Sequence, residues 1–188
     1  MKDRRIASGN VREMEEQWIR QVQSRGWADA TEEQVSMVDN LFETDAAWQL
    51  DTLEEFIPFL RTAPSDLQHT LLEDAVLQRV LPSGQSFDGG YTGLTRLLLH
   101  PGLGRVALVE GEYALTGERI HIHCKELHPS FNGLPLVYGV FQAPSGNAQT
   151  TFVWFTDRKE FQLYIGAAIL KTNPFYKSIT QELMPVLK

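Results

Sequence analysis

The sequence predicts an α+β fold: a helical N-terminal half packed on a four-stranded antiparallel meander, with two C-terminal helices. Up to Pro82 apolar residues recur at helical spacing behind capping residues, and beyond the apolar run at 94–100 the period falls to two, with turn residues between the runs. Charge divides the chain in the same way. Residues 1–82 hold 8 Lys/Arg against 16 Asp/Glu, whereas residues 83–188 hold 9 against 8, so the net charge of −7 belongs to the first part. The expected organisation is a helical subdomain over 1–82 and an antiparallel sheet subdomain with C-terminal helices over 83–188, forming one compact unit.

Each element has its own signal. In "NVREMEEQWIRQVQSRG" Asn10 caps while Glu13 reaches back, Val11, Met14, Trp18, Ile19 and Val22 share a face, and Gly26 stops the helix. Thr31 and Gln34 repeat the device ahead of Val35, Val38, Leu41 and Phe42. A short helix follows over "DTLEEFIPFLRTA", disturbed by Pro58. The stretch "SDLQHTLLEDAVLQRVLP" offers a Ser65/Gln68 capping box, an apolar face and Pro82 as a stop, and so predicts a fourth helix. "PSGQSFDGGYTG" is a connector by its Gly and Ser content, and "LTRLLLH" a brief helix. Four strands are expected in "RVALVEGEYAL", "ERIHIHCKEL", "LPLVYGVFQA" and "QTTFVWFT". Asp157 with Glu160 then caps a helix over "DRKEFQLYIGAAIL", and Asn173 with Pro174 opens the last one.

Composition narrows the function. At 188 residues, 43% hydrophobic and 22% charged, the chain can bury roughly 70% of its unfolded surface without staples. A lone cysteine, Cys124, excludes an internal disulfide, "MKDRRIASGN" lacks the apolar core of a signal peptide, and no apolar run has membrane-spanning length. A reducing, cytoplasmic setting without membrane contact is expected. The acidic balance opposes nucleic-acid binding, which needs Lys and Arg to displace counterions from phosphates.

The densest group of chemically capable residues is "HIHCKELH" at 121–128. Strand alternation turns Cys124 away from His121 and His123, which removes a thiol–imidazole pair. The run Gly117, His121, His123, Glu126, Gly133 resembles the first motif of the cupin family, which implies a metal held by the histidines. The spacing before His121 is short, however, no second motif follows, and Arg119 and Lys125 on the histidines' face oppose a cation. No metal and no cofactor are expected. A two-residue turn at Thr116-Gly117 would instead set Glu112 against His121 and Glu110 against His123 on a wet sheet face. "FDGGYTGLTR" matches neither the P-loop nor the dinucleotide fingerprint.

One stretch stands out by charge. From Asp29 to Glu55 there are nine acids and no Lys or Arg, and only part of this is explained by first-turn capping. Asp39, Glu43, Asp45, Asp51, Glu54 and Glu55, with Phe42 and Trp48 as aromatic anchors, have the composition of a surface for a basic protein partner. The expected function is a non-enzymatic cytoplasmic binding protein, inhibitor-like or immunity-like in size and charge. The alternative is a small-molecule binding domain or hydrolase, with a pocket between sheet and helices near Arg96, Arg105, His121 and His123.

Overall fold

A computed structural model of the protein describes residues 4–43, 50, 52–115, 130–131 and 134–187. The elements in chain order are α1 (Arg4–Arg25), β1 (Ala28–Asp29), α2 (Glu32–Val35), α3 (Met37–Glu43) and α4 (Leu53–Phe56), which continues into a 3-10 turn at Ile57–Phe59. Strands follow: β2 (Val76–Phe87), β3 (Gly90–His100), β4 (Gly104–Glu112), β5 (Ser130–Phe131), β6 (Leu134–Gln142), β7 (Ala148–Phe155) and β8 (Lys159–Ile165). The chain closes with α5 (Pro174–Ser178), a π turn at Ile179–Leu183 and α6 (Met184–Val186).

The strands lie in the order β1-β6-β7-β8-β4-β3-β2, with β5 paired to β6 off this path. Two antiparallel meanders, β2-β3-β4 and β6-β7-β8, therefore meet edge to edge where β4 pairs with β8. The short β1 joins β6 in parallel, making the sheet mixed. This overturns the expected four-stranded meander with a helical N-terminal half: the sheet is larger, and the helices are short apart from α1.

Four stretches account for the difference. The apolar set from Leu67 to Val80 fits a helical period, yet residues 67–75 form turns and residues 76–87 an edge strand. A register shift between Leu77 and Arg79 breaks the strand's alternation, which hides it from a period-two search. Ser65 and Gln68 do not form a capping box; Ser65 donates its N–H to Glu110, and Gln68 donates its own to Asp66. The expected connector at 82–93 is the body of a hairpin, and the brief helix expected at 94–100 is instead the rest of its second strand, β3. Asp88 and Gly89, both with positive φ, make the two-residue turn from β2 to β3. Residues 94–98 are buried on both faces of β3, so no period shows there. In β8 Asp157 and Glu160 mimic a helix start, but Lys159, Phe161, Leu163 and Ile165 alternate strictly as buried positions between β4 and β7.

Other expectations hold. Thr31 and Gln34 form the reciprocal capping box of α2. Thr52 caps α4, and the Asn173 side chain accepts from the Phe175 N–H with Pro174 at the first helical position. Gly26, at φ 91°, ends α1, although that helix begins at Arg4 and so carries Asn10 inside it. The strand readings at 105–115, 134–143 and 149–156 correspond to β4, β6 and β7, the first overrunning into a 3-10 turn at Tyr113–Leu115.

Across one face, Leu94, Glu110, Phe161, Trp154 and Leu136 form a row through five strands. Trp154 stacks on Phe161 with centroids 5.2 Å apart, and Ile169, Ile179, Leu183, Met184 and Leu187 cover the centre of this face. Truncating either aromatic ring to alanine would cost about 3–5 kcal/mol. A separate cluster of Phe56, Leu60, Val80 and Leu94 covers the outer end, and Leu77 touches both clusters. The opposite face receives α1, whose Trp18 packs edge-on against Phe141 at 5.5 Å, and α3, which faces Arg105. The outer edge of β2 is capped at its middle by Leu50, which exchanges two backbone hydrogen bonds with Val80. Among the described residues no helix is long and apolar enough to cross a membrane.

Candidate functional site

The polar feature that stands out lies under residues 61–66, a strap running from the 3-10 turn back across the sheet. Arg61 anchors it, donating its backbone N–H to Tyr91 and its guanidinium to the carbonyl of Asp88 in the hairpin turn. The approach is close: a Cβ on Gly90 would sit 2.5 Å from the Phe59 carbonyl oxygen.

Beneath the strap, strand alternation sends Arg96 from β3, Glu110 and Glu112 from β4 and Lys159 from β8 to the same face. All four are buried; Arg96 is 3% and Glu110 1% exposed. Arg96 Nη2 donates to Glu110 Oε1 at 2.7 Å and to the Ser65 carbonyl at 2.6 Å. Glu110 Oε2 accepts the Ser65 N–H at 2.9 Å and lies 3.6 Å from Lys159 Nζ, which donates to the Ala63 carbonyl. Glu112 accepts from Arg158 Nε at 2.9 Å and from its Nη2, and on its other oxygen from the Thr62 hydroxyl. The strap's own backbone thus completes the charge network.

The electrostatics follow from these contacts. Burial pulls the Arg96 guanidinium below its ordinary value, with Glu110 and Asp66 opposing. Burial pushes Glu112 up, but the hydrogen bonds from Thr62 and Arg158 outweigh it and hold the carboxyl below the usual glutamate value. Within this network one donor is unmet: Arg96 Nε is buried without a hydrogen-bond partner among the described residues.

A cavity opens on each side of the strap. One, of about 310 Å³, lies between the two apolar clusters, with Arg96 in its wall and Asp66 and Glu73 among its polar lining. The other, of about 470 Å³, is bounded by Arg61, Thr62, Glu112, Asp157, Arg158 and Lys159.

The expected site residues fall into different places. Arg96 belongs to this network, whereas Arg105, paired with Leu99, points to the opposite sheet face. Arg105 instead binds Asp39 at 2.9 Å and Glu43 at 3.4 Å and lies over the Phe42 ring. Glu54 and Glu55 are exposed on α4. Asp45, Trp48, Asp51, His121 and His123 lie outside the described residues. So do the histidine halves of the expected hairpin, but both edges of β4 are already taken by β3 and β8, and Glu110 and Glu112 are buried instead of wet. Sequence reasoning missed Glu110, Glu112, Lys159, Arg158 and Thr62 as a group. Their one visible trace is the two-residue spacing of the glutamates.

Among the described residues no group of three or more His, Cys, Asp or Glu could hold a metal. Compared with known proteins, the chain matches no family model, no curated protein and no solved structure.

Proposed function

We propose that this is a non-enzymatic cytoplasmic binding protein whose acidic surface engages a basic protein partner, with α4 and its 3-10 extension as the contact. The observation that carries the reading is the make-up of residues 54–59. Glu54 and Glu55 are exposed, no described residue pairs with them, and beside them Ile57 and Phe59 are 49% and 42% exposed. Carboxylates around an aromatic and an aliphatic anchor suit a partner that brings lysine or arginine around an apolar pocket. The segment is also backed firmly: Phe56 and Leu60 are buried beneath it, and Arg61 ties it to the hairpin.

Asp39 and Glu43 contribute less, because Arg105 already satisfies them. Catalysis by Glu110 or Glu112 fits poorly with their contacts, since each already accepts from a cation and from the strap.

The test is affinity capture from the native host at low salt with wild type and with Glu54→Lys/Glu55→Lys and Ile57→Ser/Phe59→Ser, each first checked for folding. The expected outcome is a basic protein retained by wild type, released by salt and lost with both variants. Retention of the same proteins by all three would overturn the reading.

A further inference from the structure

The smaller cavity beside the strap shares only Leu53 with the proposed contact segment and has a chemistry of its own. Its floor is Leu77 and Leu98 on β2 and β3, and Leu53, Leu67 and Leu72 close its sides. Arg96 lines the same cavity, is 3% exposed, and keeps its Nε without an acceptor while Nη2 is occupied by Glu110 and Ser65. Asp66 and Glu73, both exposed, supply negative charge at the rim. Asp66 accepts the N–H of Gln68, and Glu73 accepts the N–H of His69 and lies 3.8 Å from its ring Nδ1, which leaves acceptor capacity on both.

We propose that this cavity binds a free aliphatic α-amino acid, its carboxylate at Arg96, its ammonium at Asp66 and Glu73, and its side chain against the leucines. The groups present select this class over others. A fatty acid would find Arg96 and the apolar wall but would bring its charge past two carboxylates. A simple amine would satisfy the rim and leave the Arg96 donor unmet. A zwitterion with an apolar body answers all three features at once. A volume of about 310 Å³ lies at the lower end of the range of roughly 300–1,000 Å³ for small-molecule sites, too small for a nucleotide. The inference does not rest on the partner reading, since it is argued from the cavity's own lining.

Isothermal titration of the full chain with L-leucine, 4-methylpentanoate and 3-methylbutylamine decides it. Leucine is expected to bind, with each truncated probe about tenfold weaker or more, because each lacks one charged anchor. Asp66→Asn/Glu73→Gln, on the exposed rim, should lower leucine affinity while leaving 4-methylpentanoate binding unchanged or improved. Arg96→Gln should abolish leucine binding; if that variant fails to fold, the rim variant and the probe series still decide. No heat with leucine up to about 10 mM, truncated probes binding as well as leucine, or an unaffected rim variant would each overturn the assignment.

Discussion

Two arginines on neighbouring strands, Arg96 and Arg105, each meet carboxylates, and the surroundings make them different objects. Arg105 holds Asp39 and Glu43 with its side chain 43% exposed, so water competes for every partner. Arg96 holds Glu110 where neither side chain is more than 4% exposed, and the strap's peptide groups supply the remaining hydrogen bonds. The exposed cluster ties α3 to the sheet weakly and is screened by salt. The buried one is poorly replaceable, because removing either charge strands the other in a dry interior.

The widest separation between the two comes from Glu110→Ala, which leaves Arg96 and Lys159 buried without their shared carboxylate. Urea unfolding should show a loss of about 3–5 kcal/mol. The double variant Arg96→Met/Glu110→Leu should lose less than the sum of the single variants, which measures the coupling directly. Acid titration gives a smaller effect with a defined sign. The Glu112 carboxyl is held below its unfolded value, so its contribution is fully present above the unfolded pKa and is lost as pH falls through the lower folded value. Glu112→Gln should therefore flatten stability against pH in that acidic window and leave the slope near neutrality unchanged. Thr62→Val removes the strap's hydroxyl donor to Glu112 and should cost about 1–3 kcal/mol, read as a shift in the urea midpoint. The smallest effect belongs to the exposed arginine: Asp39→Ala should move the urea midpoint only slightly, and the difference from wild type should vanish at high salt.

The same contrast explains what was legible in the sequence. β4, β6 and β7 announce themselves by alternation between turn residues, and Thr31/Gln34 and Asn173/Pro174 announce their helices by local capping that needs no tertiary partner. β2 and β3 do not: one is interrupted by a register shift and the other is buried on both faces, so neither shows a period. The exposed acids of α3 and α4 could be read because a surface group needs only its neighbours in sequence. Asp88-Gly89 is a legible hairpin turn, masked by the glycines around it, which give the stretch the composition of a connector. The buried network could not be read from local pattern. Glu112 meets Thr62 and Arg158, 50 and 46 positions away, and only the meeting of β4 and β8 brings them together.

That seam also orders events in time. Each meander can form from pairings close along the chain, with Asp88-Gly89 turning one and Pro144–Asn147 the other. Joining β4 to β8 must close a far longer loop and carries the greater entropy cost before any contact repays it. Addition of Lys159 to the Arg96–Glu110 pair is therefore a late step, and substitution of Lys159 should chiefly speed unfolding while leaving the folding rate nearly unchanged. The leucine-lined cavity beside the strap draws its walls from residues 53–98 alone, so ligand binding to it reports the first meander with its strap and not the seam.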